Sequence, residues 1–151
     1  HRMISAMPDL TRTAAIGSGK RAFAMAGMTT SDIDVLQLYD AFTINTILFL
    51  EDLGYCAKGE GKDFIKNGRI TPGGSLPVNT NGGGLSCIHP GMYGLFVTIE
   101  AIRQIRASAG DDEGPRADGG WVPETKISLA HGNGGVLSSQ VTTIWGHPDS
   151  L

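Results

Sequence analysis

The sequence predicts an α/β fold in which one mixed sheet carries helices on its faces. Segments with the apolar spacing of amphipathic helices alternate along the chain with short runs typical of buried strands. Two apolar, β-rich runs follow each other near the C-terminal end, which predicts an antiparallel pair at an edge of the sheet. The predicted order is helix, strand, helix, strand, helix, strand, strand. The 151 residues are enough for one domain with one core.

The first half of the chain provides the clearest helical pattern. Residues 11–27 have helical spacing and end in a glycine at the C-terminal cap position. Residues 34–39 alternate as a short strand, and Asp40 is expected to cap a second helix over residues 41–53. Residues 56–75 combine glycines with mixed charges, so we expect an irregular surface segment.

The second half contains the remaining strands. Its predicted strand, helix, strand and strand are residues 76–80, 92–107, 125–130 and 136–145. Residues 111–120 are charged and rich in glycine, which predicts a loop. Residues 131–135 separate the last two strands, and their glycines predict a tight hairpin turn.

Composition excludes several classes of protein. The chain is 40% apolar and 18% charged with a net charge of −3, so neither a disordered tail nor a nucleic-acid-binding surface is expected. The longest apolar run, residues 41–50, is too short and too polar to span a membrane. We recognise no signal peptide, and Cys56 and Cys87 have no metal-ligand spacing. Reduced thiols, no metal site and a cytoplasmic location are therefore predicted.

Polar residues and glycines come together in four short segments at the predicted ends of elements. These segments are residues 39–42, 79–84, 88–94 and 131–135. Ligands of open α/β sheets bind at strand ends, so the segments contain the candidate catalytic residues Tyr39, His89, Tyr93 and His131. Histidine is the usual general acid or base near neutral pH. Taken alone, each residue has a more common structural alternative, either a packed tyrosine or a loop histidine.

Taken together, the four segments resemble the C-terminal half of the thiolase superfamily. The closer resemblance is to its lipid-transfer-protein (sterol-carrier type) thiolases and their aldolase-like relatives. It covers nearly the whole chain and includes the order and spacing of Leu50-Glu-Asp-Leu-Gly54, Gly73-Gly74 and Glu100-Ala-Ile-Arg-Gln104. The resemblance implies one βαβαβαββ half of the thiolase fold, with residues 1–151 as a C-terminal-like domain. The other half, which carries the nucleophilic cysteine of the family, is absent from this sequence.

The resemblance also implies roles for single residues. Tyr39 stands where thiolases have the asparagine of Asn-Glu-Ala-Phe, which orders a water near the thioester oxygen. His89-Pro90 matches Gly-His-Pro, although Ile88 replaces the glycine, and this implies that His89 polarises the thioester oxygen. His131 stands where thiolases have the cysteine base of Cys-x-Gly-Gly-Gly. Tyr93 is a further catalytic candidate. The candidates for substrate binding are Asn79, Gly134 and Gly135.

The implied function is that of an enzyme acting on acyl-CoA thioesters, with coenzyme A as part of the substrate and no separate cofactor. Our first interpretation is acyl transfer that makes or breaks a carbon–carbon bond. One alternative is retro-aldol cleavage of a β-hydroxyacyl-CoA side chain beside an OB-fold partner protein. The other is a non-catalytic scaffold domain. Because an absent half leaves an apolar face uncovered, we expect a partner chain or a homo-oligomer, and no activity from this chain alone.

Overall fold

The computed structural model describes residues 4–87, 91–110 and 120–150. The helices are α1 (Ala15–Ala26), α2 (Thr43–Asp52), α3 (Gly61–Phe64) and α4 (Tyr93–Ser108). The strands are β1 (Val35–Leu38), β2 (Ile127–Gly134) and β3 (Ser139–Gly146). Short 3₁₀ turns cover Ile4–Ala6, Thr30–Asp32, Lys66–Gly68, Gly84–Ser86 and Pro148–Ser150. In the described parts of the chain, no helix combines the length and apolar character needed to cross a membrane.

The three strands form one mixed sheet in the order β1-β2-β3. β2 runs parallel to β1 and antiparallel to β3, with Leu38 opposite His131 and Gly134 opposite Ser139. A parallel pair needs a long crossover, and here the chain between β1 and β2 supplies α2, α3 and α4. The arrangement confirms the predicted α/β class and the antiparallel pair at its edge.

Alternate side chains of the sheet enter two separate cores, because successive residues of a strand point to opposite faces. The core on the α1 and α2 face includes these buried residues: Ala15, Leu36, Leu38, Phe49, Leu50 and Leu129. The core on the α4 face consists of Tyr39, Tyr93, Val97, Ala101 and Ala130. Helices therefore cover both faces of the sheet, and each face has its own set of packed side chains.

A charged cluster joins the end of α2 to the segments around it. The Lys58 ammonium lies 2.5 Å from Asp52 Oδ1 and 3.2 Å from Glu51 Oε2. The other Asp52 oxygen accepts the backbone N–H of Thr13 just before α1. Burial of Glu51 by itself raises the pKa of its carboxyl group. Hydrogen bonds from backbone N–H groups, including that of Gly61, and the charge of Lys58 outweigh this effect, so the pKa of Glu51 is lowered. The cluster thus fixes α2 against the start of α1.

The predicted strand at residues 76–80 is wrong, because only one residue of it pairs with the sheet. Val78 forms an isolated parallel bridge to Leu36. Pro77 has no N–H to donate, and Asn79 has a left-handed backbone with φ +53° that ends the extended conformation. The irregular segment predicted at residues 56–75 does contain α3 and one 3₁₀ turn.

The predicted hairpin turn is displaced by about four residues. β2 continues through residues 131–134, and the turn lies at residues 135–138. Gly135, Val136 and Leu137 all have positive φ, which places the left-handed backbone after the predicted glycine run. His131 is therefore a strand residue. The loop predicted at residues 111–120 lies outside the described residues except for Gly120.

Asp40 does not cap α2 as predicted. The residue at the cap position is Phe42, which makes no side-chain cap hydrogen bond. The buried Asp40 carboxylate instead accepts the backbone N–H groups of Gly84 at 2.5 Å and of Leu85 at 3.4 Å. Gly83 has φ +71°, and a Cβ there would collide with the same carboxylate. Asp40 therefore ties the β1–α2 connection to the glycine segment more than forty residues away.

Candidate functional site

A cavity of about 500 Å³ opens where β1 and β2 end. One wall comes from the β1–α2 connection and the first turn of α2, and includes Tyr39, Phe42 and Asn45. The opposite wall is the end of β2 with the following turn, residues 133–137. Gly91, just before α4, closes part of the rim. Three of the four segments singled out in the sequence, residues 39–42, 88–94 (through Gly91) and 131–135, therefore contribute residues to one cavity.

Tyr39 is the predicted catalytic residue that the structure places in the cavity lining. It is 8% exposed, and its backbone N–H donates to the His131 carbonyl at 2.9 Å, which continues the β1–β2 pairing by one residue. Its ring meets the Tyr93 ring edge-on, with centroids 5.3 Å apart. Its hydroxyl forms no hydrogen bond with any residue that the structure describes. No described residue therefore competes with a ligand for this hydroxyl.

Tyr93 lies behind Tyr39 and does not line the cavity. It occupies the first turn of α4 and is 2% exposed. Its hydroxyl lies 3.4 Å from Asn81 Oδ1. Burial and the nearby charge of Asp40 raise the pKa of Tyr93, so the phenol keeps its proton at neutral pH. The Tyr93 ring therefore packs against the edge or face of the Tyr39 ring from within the core of the α4 face.

His131 lies on the opposite face of the sheet from Tyr39. Its ring is fully buried, and the Phe49 ring packs against it with centroids 4.5 Å apart. Both ring nitrogens form hydrogen bonds: Nδ1 lies 2.8 Å from Thr142 Oγ1, and Nε2 lies 2.7 Å from Gln140 Oε1. Burial lowers the pKa of His131 to about 4, against the opposing effect of the Gln140 hydrogen bond. The imidazole is therefore neutral at pH 7, with Nε2–H donating to Gln140 and Nδ1 accepting from Thr142. The structure does not bring this ring into the cavity.

The three predicted substrate-binding residues divide into two groups. Gly134 and Gly135 line the cavity, and Gly135 has φ +54°, a conformation that glycine adopts readily. Asn79 does not line it. Its side-chain Oδ1 accepts the Leu38 N–H at 2.7 Å, and its own N–H donates to the Leu36 carbonyl, so it replaces a strand residue at the edge of β1.

One predicted residue cannot be placed and two cavity residues were missed. His89, with Ile88 and Pro90, lies outside the described residues. Sequence reasoning missed Asn45 and Asn133, which with Tyr39 are the polar side chains among the described residues that line the cavity. Asn133 lay within the glycine-rich segment already singled out, whereas Asn45 lies in an otherwise ordinary helical pattern.

Comparison with known proteins places the chain in a family. The sequence model of the family described as thiolase C-terminal domain-like matches residues 1–147. The chain belongs to the thiolase C-terminal domain-like family. This confirms the resemblance inferred from the sequence. The two cavity walls of this thiolase-like domain include residues of the segments 39–42 and 131–135, in which the sequence resembles thiolase motifs.

Curated relatives and a solved structure agree with this membership. The domain is 46% identical over 93 residues to a 17-hydroxy-3-oxo-4-pregnene-20-carboxyl-CoA lyase of Mycobacterium tuberculosis, covering 60% of this chain and 23% of the relative. It is 36% identical to an acetyl-CoA acetyltransferase of Methanothermobacter thermautotrophicus, covering 84% of this chain and 32% of the relative. A solved structure titled Ltp2-ChsH2(DUF35) aldolase superposes with a TM-score of 0.74 at 31% identity, covering 93% of this chain and 34% of that one. The domain thus spans about a quarter to a third of the length of these proteins.

Proposed function

We propose that this thiolase-like domain is the C-terminal part of an enzyme that makes or breaks a carbon–carbon bond beside an acyl-CoA thioester. The observation that carries the proposal is the cavity at the ends of β1 and β2, because its two walls include the segments that resemble thiolase motifs and both lie within the stretch that the family model matches. The relatives named an acetyltransferase and a CoA lyase both act, by their names, on CoA compounds. In the proposal, coenzyme A is part of the substrate.

Within this function, acyl transfer is the first candidate and retro-aldol cleavage is the second. Retro-aldol cleavage removes the proton of a β-hydroxyl, breaks the bond between the α and β carbons, and leaves its electron pair as a thioester enolate that is then protonated. Two observations favour it. The lining of the cavity, within the described residues, includes Tyr39 and no cysteine that could replace the cysteine base of thiolases, since neither Cys56 nor Cys87 belongs to it. The solved relative is also titled an aldolase.

The roles proposed for the individual residues differ in their support. Tyr39 would hydrogen-bond the substrate oxygen that gains or loses a proton, and Tyr93 would hold the Tyr39 ring in place. For His89, the proposal rests on its match to the Gly-His-Pro motif. The resemblance implies a base at His131. The geometry instead supports a positioning role, because its carbonyl accepts the Tyr39 N–H while its ring is buried on the other face.

The outer face of α4 supports the proposal that further chain covers this domain. Four large apolar side chains repeat there at helical spacing and are 41–73% exposed: Met92, Leu95, Phe96 and Ile99. Such a stripe is the seam by which a helix packs on another element. We propose that it meets the N-terminal half of the enzyme. An OB-fold partner, as the DUF35 name in the solved relative's title suggests, and a homo-oligomer are further proposals, and a cytoplasmic location stays a prediction.

The function is tested with the natural full-length protein and any partner subunit that copurifies with it. One assay measures CoA-dependent thiolysis of β-ketoacyl-CoA, and the other measures carbonyl release from β-hydroxyacyl-CoA. The favoured reaction should slow by roughly a hundredfold or more in Tyr39→Phe, because one positioned proton donor or acceptor contributes about 10²–10⁴. Thr98→Val, on α4 outside the cavity, is the control and should keep the rate. Absence of both reactions would leave the scaffold interpretation, and an unchanged rate in Tyr39→Phe would remove the role of its hydroxyl.

A further inference from the structure

The turn between β2 and β3 has a left-handed backbone at three residues in a row. Gly135, Val136 and Leu137 have φ values of +54°, +43° and +62°. Glycine adopts such angles readily, whereas a β-branched residue there is an outlier, because its Cβ comes too close to the neighbouring carbonyl oxygen. All three residues line the cavity. The strained part of the turn therefore coincides with the cavity wall.

The side chain of Asn133 holds this turn. Its Oδ1 accepts the Leu137 N–H at 3.1 Å, so the contact closes over the left-handed residues between them. The acceptor comes from β2, where Asn133 pairs with Gln140 of β3, and the bond therefore fixes the turn relative to the sheet. The motif that residues 131–135 resemble has glycine at this position, and glycine offers no side-chain acceptor.

The other contacts of the turn do not replace that of Asn133. The Gly134 carbonyl accepts both the N–H and the Oγ–H of Ser138, at 3.1 and 2.9 Å, so loss of the hydroxyl leaves the backbone bond in place. The Leu137 side chain is buried in the core on the α1 and α2 face. Val136 lies between these anchored residues, lines the cavity and is 49% exposed.

Folding alone favours a different residue at position 136. Glycine would adopt the left-handed backbone of Val136 without strain, and a half-exposed valine gains little burial in return. Strained residues persist where the surrounding contacts over-determine them, and they cluster at ligand-binding sites. A requirement for a wall of fixed shape accounts for both features, the valine at a left-handed position and the side-chain acceptor of Asn133 beside it.

We propose that Asn133 is a positioning residue that fixes the turn as a wall of the cavity, through the Leu137 N–H, and so limits the size of the group that the cavity admits. This inference rests on the proposed function, in which that group is attached to the sulfur of coenzyme A. The Val136 side chain occupies space at the wall, and the bond from Asn133 prevents the turn from moving outward. Asn133 acts through the turn and not on the reacting atoms.

The test compares two CoA thioethers that differ only in the group on sulfur, S-ethyl-CoA and S-benzyl-CoA. Neither has a thioester carbonyl that could react, and their dissociation constants are measured by calorimetry on the natural full-length protein with any partner subunit that copurifies. In Asn133→Gly the affinity ratio should shift toward S-benzyl-CoA by at least about fivefold, because one small apolar group in a fitted pocket changes binding about tenfold or more. Asn133→Asp keeps the acceptor oxygen and should retain the parent ratio within about twofold. Ser138→Ala removes the other side-chain bond of the turn and is the matched control, which should also keep the ratio.

Hydrogen exchange of the same variants, followed by mass spectrometry, reports on the turn directly. Exchange of the amides at residues 135–138 should be at least about threefold faster in Asn133→Gly, because opening of the turn then breaks one hydrogen bond fewer. In Asn133→Asp the exchange should stay close to that of the parent. Unchanged exchange in Asn133→Gly would overturn the inference, and so would faster exchange with an unchanged affinity ratio.

These outcomes separate the inference from the proposed function. If the parent turns over a CoA thioester while the ratio is unchanged in Asn133→Gly, the inference fails and the function stands. If the parent binds neither probe and turns over no CoA substrate, both fail. If melting temperatures show that Asn133→Gly does not fold, Val136→Gly decides, because glycine suits the backbone there and removes the side chain from the wall. Its ratio should shift in the same direction, and an unchanged ratio overturns the inference.

Discussion

The buried imidazole of His131 makes the stability of this domain depend on pH in a way that can be calculated. The ring is fully buried, and burial lowers its pKa from 6.5 to about 4. In the unfolded chain the same ring is in water and titrates near its ordinary value. Between these two values the unfolded state binds more protons than the folded state. Stability contributed by the neutral ring is thus present above pH 6.5 and is lost as the pH falls toward 4.

The size of the effect follows from the same shift. One pKa unit corresponds to about 1.4 kcal/mol, so the whole window is worth about 3 kcal/mol, of which about 2 kcal/mol is lost between pH 7 and pH 5. Carboxylates such as Glu51 also lose stabilising ionisation at low pH, and their contribution must be subtracted. His131→Gln keeps a polar side chain at the position but cannot titrate. The free energy of unfolding of the parent should fall about 2 kcal/mol further than that of the variant.

Urea titrations at pH 7, 6 and 5 measure this difference, with His147→Gln as the matched histidine control. His147 lies beside Asp149 near the C-terminal end, and its variant should follow the parent. Histidine NMR supplies a direct check, because the His131 ring should show no protonation at pH 5.5. A fall in unfolding free energy that is equal in the parent and His131→Gln would refute the reasoning. So would a His131 ring that titrates near 6.5, because either result means that water reaches it.

Two further predictions compare matched substitutions by urea unfolding. Lys58→Met removes the cation from two carboxylates at the end of α2, one of them fully buried, and should lower the free energy of unfolding by about 2–4 kcal/mol. Lys66→Met, at an exposed ion pair, should change it by less than about 1 kcal/mol. Equal losses in the two variants would contradict the burial of the Lys58 cluster. Gly83→Ala and Gly54→Ala both introduce a side chain at positive φ, but only at Gly83 does the new methyl group meet a buried carboxylate, that of Asp40. We expect about 1 kcal/mol for Gly54→Ala and at least about 2 kcal/mol more for Gly83→Ala, and similar losses would show that Asp40 moves aside freely.

Local patterns in the sequence were enough to identify most elements. The spacing of apolar residues predicted α1, α4 and β1 to within a few residues, because a helix or strand must present one apolar face to the core wherever that core lies. Gly27 was placed correctly at the end of α1, where φ is +66° and its N–H donates to the Phe23 carbonyl. The strand predicted at residues 76–80 was wrong because of the backbone conformation of one residue. Its composition suits a strand, but the left-handed backbone of Asn79 limits its pairing to one bridge.

The motifs and the family to which they belong could be recognised from the sequence alone, since residue types and their spacing are properties of one chain read in order. The tertiary structure decided which side chains share the cavity. Because the hairpin turn lies at residues 135–138 and not at the predicted residues 131–135, His131 is a strand residue. Register and alternation then directed its ring away from Tyr39, although their backbones are hydrogen-bonded. The partner of Asp40 depends likewise on a segment distant in sequence. Hydrogen bonds between such segments are set by how the elements pack, and no local pattern records them.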